Sequence, residues 1–159
     1  MKFETNKKLL ILLLIKLLNM LSQKSKYALK ALGFLAKNHG RGPVLMSVIA
    51  REKKIPLRFL ENIFHELKNA GFLNSHRGRF GGYTLVNEPS QTKVSSVIRV
   101  VNGPLAMLPC VSLNFYATCD DCCEATFGLR GVFQEARDAL LKVLENRYLS
   151  DIMDLDELI

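Results

Sequence analysis

A basic, glycine-rich segment between two short apolar segments constrains the fold of this chain more than any other feature. His76-Arg77-Gly78-Arg79-Phe80-Gly81-Gly82 lies between residues 72–75 and 83–86, which both have strand-like composition. This arrangement predicts a β-hairpin with a basic tip. Two arginines separated by glycine suit close approach to phosphates or to a narrow minor groove. An ordinary mobile hairpin would have the same composition, so the segment needs its context.

Three predicted helices precede the hairpin. Apolar residues at helical spacing predict a helix over 22–38 with Ser22 as its N-cap, a short helix around 47–54, and a third helix over 56–70. The apolar side of the third helix is formed by Leu57, Leu60, Ile63, Phe64 and Leu67. Its opposite, polar side is formed by Arg58, Glu61, Asn62 and His65. Helix, short helix, helix and basic hairpin are the elements of a winged helix–turn–helix, in order. We therefore predict a mainly α DNA-binding fold with a small β-hairpin wing.

The distribution of charge agrees with a nucleic-acid partner. The net charge is +7, yet residues 21–93 contain thirteen Lys and Arg against four Asp and Glu, whereas residues 110–159 contain four against ten. A basic middle joined to an acidic end indicates that only the middle part contacts a polyanion. A membrane-binding protein would more often concentrate its charge on one amphipathic helix.

The C-terminal third has the pattern of an interaction helix. A fourth helix, marked by Val94, Val97, Ile98 and Val101, ends at Asn102-Gly103-Pro104. A longer helix then carries apolar residues at alternating steps of four and three, namely Leu129, Phe133, Ala136, Leu140 and Val143. This heptad-like seam predicts a homodimer interface and hence a long C-terminal dimerisation helix. The alternative is a helix that lies only on its own domain.

The N-terminal residues 1–19 resemble a secretion signal but lack its cleavage site. The apolar run 9–18 is interrupted by Lys16 and is shorter than the roughly 20 residues that a membrane span needs. We expect an extension or a misplaced start, which would form an added helix rather than an anchor. The sequence therefore predicts a cytoplasmic protein. In that reducing compartment, the clustered Cys110, Cys119, Cys122 and Cys123 indicate metal or redox chemistry rather than structural disulfides.

These motifs together resemble the family of winged-helix regulators that includes the iron–sulfur cluster regulator, the nitric-oxide-sensing repressor and the cysteine-metabolism repressor. The resemblance extends from Met20 to about Asp154. Its most specific part is Ser75-x-Arg77-Gly78-x-x-Gly81-Gly82-Tyr83-x-Leu85. It implies a division into an extension (1–19), a winged helix–turn–helix domain (20–104), a cysteine-containing sensor loop (105–126) and a dimerisation helix with its tail (127–159).

The resemblance also implies which residues meet a pseudo-palindromic double-stranded operator. It places Leu57, Arg58, Glu61 and Asn62 at the major groove, Arg77, Gly78 and Arg79 on the wing, and Lys24 and Tyr27 near the phosphate backbone. The chemistry agrees, since Asn pairs with adenine, Glu accepts from cytosine, and Arg pairs with guanine or phosphate. Arg58 replaces the small polar residue of the family, which affects the expected operator sequence.

Several sensor chemistries remain open for the cysteines. Iron–sulfur members of the family carry three cysteines in the same interval, which implies a [2Fe-2S] or [4Fe-4S] cluster on Cys110, Cys119 and Cys122, with Cys123 as the least certain ligand. A thiol–disulfide switch, a zinc site and inert thiols are the alternatives. A CxxC redox enzyme, from a different functional class, would need a thioredoxin-like βαβ unit that the sequence does not show. We therefore predict a non-enzymatic, homodimeric repressor that senses iron–sulfur, redox or nitric-oxide status through its cysteines.

Overall fold

The predicted order of elements is present in the computed structural model, which describes residues 21–118 and 128–153. This part of the chain contains five α-helices and one two-stranded antiparallel sheet, in the order α1 (Gln23–Lys37), α2 (Met46–Glu52), α3 (Leu57–Asn69), β1 (Leu73–His76), β2 (Gly82–Leu85), α4 (Val94–Asn102) and α5 (Gly128–Leu144). Single 3-10 turns occur at Pro89–Gln91, Pro109–Val111 and Leu149–Ile152. The predicted fold class is confirmed. No helix within the described ranges has both the length and the apolar character of a membrane span.

Helix α1 forms one wall of the core. Its N-terminus is capped as predicted, because the Ser22 hydroxyl accepts a hydrogen bond from the backbone N–H of Ser25 at 3.2 Å. Its apolar stripe is buried, as Ala28, Ala31, Leu32, Leu35 and Ala36. Small residues in this stripe allow neighbouring elements to approach closely. At Gly33, an added Cβ would lie 3.0 Å from the carbonyl oxygen of Ile152, so the last 3-10 turn packs directly on α1.

The helix–turn–helix differs from the prediction at its boundaries. Helix α2 begins at Met46 and ends at Glu52, two residues before the predicted end. The reason is Lys54, whose φ of 52° is in the left-handed region and cannot continue a right-handed helix. Pro56 is the N-cap of α3 rather than its first residue. On α3, Leu60, Ile63, Phe64 and Leu67 are completely buried and form the opposite wall of the core.

The wing, defined here as Leu73–Leu85, is a short hairpin anchored to the loop before α2. Leu73 pairs with Leu85 and His76 with Gly82, so each strand lies one residue away from its predicted position. Val44 and Tyr83 form an additional antiparallel bridge, with N–H to carbonyl distances of 3.0 and 2.9 Å in the two directions. The sequence analysis did not predict this third partner. It fixes the base of the wing to the helix–turn–helix.

After α5, the chain returns to the winged domain. Leu149 is completely buried, and its N–H donates to the carbonyl of Thr92 at 2.9 Å. The N–H of Val94 donates to the carbonyl of Arg147 at 2.9 Å. The residues that follow α5 are therefore part of the same core as α1 and α3. The division at residues 19, 104 and 126 stays a prediction, since 1–20 and 119–127 lie outside the described residues.

Candidate nucleic-acid interface

Helix α3 exposes the residues that the sequence analysis placed at the major groove. Arg58, Glu61 and Asn62 are exposed, opposite the buried stripe. Leu57 was assigned both to the apolar side and to the groove, and the structure decides between these positions. Its side chain is 45% exposed at the first position of α3, so it does not belong to the core. The N-terminal half of α3 thus presents apolar, basic, acidic and amide side chains to solvent.

The tip of the wing carries the predicted arginines into solvent. Arg77, Gly78 and Arg79 are all exposed. Gly78 has a φ of 101°, and its carbonyl accepts from the N–H of Gly81 at 3.0 Å, which closes the turn. The guanidinium of Arg79 lies 6.0 Å from the ring centroid of Phe80, which is 86% exposed. This tip therefore combines two cations with a flat apolar ring on a narrow turn.

Lys24 and Tyr27 lie beside α3 and contact it. The Lys24 ammonium donates to both carboxylate oxygens of Glu66, at 2.7 and 2.6 Å. The ring of Tyr27 packs edge-on against Phe59, with centroids 5.6 Å apart and planes at 83°. An open cleft of about 300 Å³ lies here, lined by Lys24, Phe59, Asn62, Ile63, His65 and Glu66. The structure thus brings Lys24 and Asn62 to one cleft, together with Glu66, which the sequence analysis did not single out.

Of the four candidate sensor cysteines, only Cys110 lies within the described residues. It is a free cysteine, 7% exposed, in the 3-10 turn Pro109–Val111. Cys119, Cys122 and Cys123 lie outside the described residues. Residues 21–118 and 128–153 contain no group of three or more His, Cys, Asp or Glu side chains that could hold a metal ion. The described residues therefore supply one buried thiol to the predicted site.

Two arginine contacts connect α5 to the rest of the protein. Arg137, whose side chain is 12% exposed, donates to the carbonyl of Val111 at 2.6 Å, directly after Cys110. Arg99 of α4 donates to Glu145 near the end of α5 at 2.6 Å. This hydrogen bond, with the positive charge of Arg99, lowers the pKa of Glu145 below its ordinary value. The inward side of α5 is therefore polar at its anchoring points.

Part of the predicted seam lies on the outward side of α5. Leu141, on the inward side, is buried, whereas Val132 and Val143 are 57% and 58% exposed. Phe133, Ala136 and Leu140 are partly buried, and Phe133 and Leu140 lie between these two sides. The side chain of Leu129 lies outside the described residues. At 100° per residue, Val132, Ala136, Ala139 and Val143 form one stripe, the outer stripe of α5. This apolar stripe contains two members of the predicted seam, Ala136 and Val143.

Comparison with known proteins places these features in a family. The model of the Rrf2 family, described as "Iron-dependent Transcriptional regulator", matches residues 21–155. The chain belongs to the Rrf2 family. An rrf2-like HTH-type transcriptional regulator of Rhodobacter capsulatus is 41% identical over 138 residues, which cover 84% of this chain and 92% of that protein. This confirms the predicted family resemblance and the prediction of a regulator rather than an enzyme.

Solved structures of Rrf2 regulators share the fold. CymR, the global cysteine regulator of Bacillus subtilis, is 32% identical in sequence to this chain. Its structure matches with a TM-score of 0.70, over 85% of this chain and 96% of the CymR chain. T. potens IscR is 28% identical, with a TM-score of 0.66 over 87% and 88% of the two chains. This Rrf2 protein is therefore a DNA-binding, winged-helix transcription regulator.

Proposed function

We propose that this Rrf2 regulator acts in the cytoplasm as a homodimeric repressor that binds a pseudo-palindromic operator and responds to a signal through its cysteines. Each subunit would place α3 in the major groove and the tip of the wing at the backbone or in the minor groove. One observation carries the proposal: the fold exposes Leu57, Arg58, Glu61 and Asn62 together on α3. A helix needed only for packing has no requirement for this set of side chains.

The four side chains match different base edges. Asn62 can pair with adenine through two hydrogen bonds, Glu61 can accept from the amino group of cytosine, and Arg58 can donate to guanine. Leu57 offers an apolar contact to a thymine methyl group. Arg77 and Arg79 supply charge to phosphates, which positions the domain without selecting a sequence. Sequence selection and electrostatic attraction therefore reside on different elements.

Two substitutions separate these roles. Arg77→Ala should weaken binding to any duplex and reduce the slope of log affinity against log salt by about 0.9 per domain. Asn62→Ala should cost about 1–3 kcal/mol and relax base preference at one position of each half-site. Arg147→Ala, which removes an exposed cation beyond α5, is the matched control. Fluorescence anisotropy with labelled duplexes measures all three, and unchanged binding by the first two would contradict the proposal.

The outer stripe of α5 supports the dimer. Exposed valines at positions 132 and 143 leave apolar surface in water, and a second copy of α5 would cover it. Val132→Glu would bury a charge in that interface and should yield monomers in light scattering. Asn146→Glu adds the same charge at an exposed position just after α5 and should leave the dimer intact. A wild-type protein that is monomeric at micromolar concentration would refute this part.

The family description and the donor set support a cysteine-based sensor. Thiolates are soft ligands that suit iron–sulfur clusters or zinc. Cys110, Cys119, Cys122 and Cys123 are the candidate ligands, and the burial of Cys110 would keep a bound group away from solvent. A bound cluster would supply sensitivity to oxidants, iron supply or nitric oxide. Without metal, reversible disulfide formation among the same cysteines is the second candidate.

Anaerobic purification followed by visible spectroscopy and by iron, sulfide and zinc analysis distinguishes these chemistries. A bound cluster gives visible absorption, whereas bound zinc gives none. A disulfide switch contains neither iron nor zinc and shows a reversible loss of free thiols on oxidation. DNA titrations with loaded protein, apoprotein and the Cys119→Ser variant then test control. If the operator affinities of these three proteins agree within a factor of two, the cysteines do not regulate DNA binding.

A further inference from the structure

The ion pair between Lys24 and Glu66 joins the start of α1 to the end of α3, 42 positions apart in the sequence. Both carboxylate oxygens of Glu66 accept from the same ammonium. The two side chains keep 31% and 39% of their surface exposed, so the pair is open to solvent. Glu66 follows Asn62 by one helical turn, and both residues line the cleft described above. An acidic group therefore lies at the edge of the surface that is proposed to meet DNA.

The position of Lys24 creates a competition between two anions. Its ammonium holds the Glu66 carboxylate at contact distance, and a phosphate that approaches the same cleft would need the same donor. Partly exposed ion pairs are weak because water and salt screen them. A phosphate held in place by other contacts can therefore replace Glu66. A phosphate that approaches without such contacts has no comparable advantage.

We propose that Glu66 is an attenuating residue that competes with DNA phosphates for Lys24 and so lowers the affinity of the domain for DNA. On an operator, contacts from α3 hold the domain against the backbone, and Lys24 exchanges Glu66 for a phosphate. On other sequences the pair stays closed, and the domain has one phosphate contact fewer. This inference rests on the proposed placement of α3 and Lys24 on DNA. It adds a residue that lowers affinity to the residues that are proposed to raise it, because any duplex that uses Lys24 must first open the ion pair.

The expected effect follows from the salt dependence of phosphate contacts. One additional contact steepens the slope of log affinity against log salt by about 0.9. If that contact contributes nothing at 1 M salt, it raises affinity about five-fold per domain at 0.15 M salt. Glu66→Gln should therefore bind a random-sequence 30-base-pair duplex about five-fold more tightly per domain, with the steeper slope. Binding to a duplex enriched by the wild-type protein should tighten at least as much, because there the wild-type protein must open the same ion pair, but its salt slope should stay unchanged since Lys24 already meets a phosphate.

A double-mutant cycle separates this mechanism from simple repulsion between Glu66 and DNA. In a Lys24→Gln background, Glu66→Gln should change non-operator binding by less than two-fold, because the Lys24 ammonium that the substitution would release is absent. Glu88→Gln is the control, since Glu88 is an exposed acid whose carboxylate lies 3.2 Å from the His39 ring. It should leave the salt slope unchanged. Circular dichroism melting curves of all variants verify that the fold is retained.

Three results would overturn the proposal. The first is an unchanged salt slope in Glu66→Gln while the wild-type protein binds the random duplex. The second is an equal gain in affinity with and without Lys24, which would assign the effect to general repulsion. The third is weaker binding by Glu66→Gln to both duplexes, which would make the pair a structural support. A wild-type protein that binds no duplex at low salt would instead refute the proposed function, and this inference with it.

Discussion

Gly82→Ala tests how the wing is held on the helix–turn–helix. Gly82 has a φ of 146°, and an added Cβ would overlap the carbonyl oxygen of Val44 and lie 2.9 Å from the backbone nitrogen of Leu45. Left-handed strain costs about 1–2 kcal/mol, and loss of the two hydrogen bonds between Val44 and Tyr83 costs about 0.5–1.5 kcal/mol each. The substitution should therefore lower the free energy of unfolding by about 2–5 kcal/mol.

Gly40→Ala is the matched control for this prediction. Gly40 has a φ of 78°, but an added Cβ there meets no atom within 4 Å, so only the left-handed strain of about 1–2 kcal/mol applies. Urea unfolding followed by far-UV circular dichroism measures both variants, and an unchanged m-value makes their midpoints comparable. Equal destabilisation of the two variants would refute the reasoning, because it would show that the contact with Val44 contributes nothing.

Three further substitutions test local features. Lys54→Gly should raise the free energy of unfolding by about 0.5–1 kcal/mol by relieving left-handed strain. A lower free energy of unfolding would show that Lys54 is not strained. Arg99 lowers the pKa of Glu145 in the folded protein. The pair should therefore stabilise the protein at pH values above the pKa of the unfolded carboxyl group, and this stabilisation should disappear as the pH falls through the lowered pKa. Wild-type and Glu145→Gln melting curves should therefore converge in acid, and a constant difference would argue against the pair. Arg137→Gln should cost about 1.5–3 kcal/mol by removing the charged donor to Val111, measured by urea unfolding; no change would show that this contact is replaceable.

The secondary structure was predictable because local patterns determine which side of each element is apolar. The stripe of Leu60, Ile63, Phe64 and Leu67 predicted the buried side of α3, and all four side chains are buried. The same pattern misplaced Leu57, because a residue in the first helical turn can lie beyond the end of the core even when its angle points toward it. Helix boundaries moved by one or two residues where a single φ value, such as that of Lys54, ended a helix early.

Contacts between elements were not predictable from the same patterns. The sequence analysis placed Lys24 near phosphates on the basis of a family resemblance, and nothing in the spacing of α1 indicated Glu66 as its partner. The bridge between Val44 and Tyr83 likewise joins a loop to a strand 39 positions later. Such pairs depend on how helices and strands pack, which one sequence does not specify locally. The exposure of Arg58, Glu61 and Asn62 was predictable because they lie opposite the apolar stripe of an amphipathic helix.

The two arginine anchors of α5 give the proposed cysteine control a physical route to the DNA-binding domain. Arg137 holds the turn that contains Cys110, and Arg99 holds the far end of the same helix to α4. A helix fixed at two points moves as a unit, so a shift of the Cys110 turn would be transmitted along α5 to α4. In the proposed dimer, α5 also sets the distance between the two α3 helices, which must match about one turn of DNA, roughly 34–36 Å. A ten-fold change in operator affinity needs only about 1.4 kcal/mol of coupling, which is comparable to the net contribution of one charged hydrogen bond such as that from Arg137 to Val111.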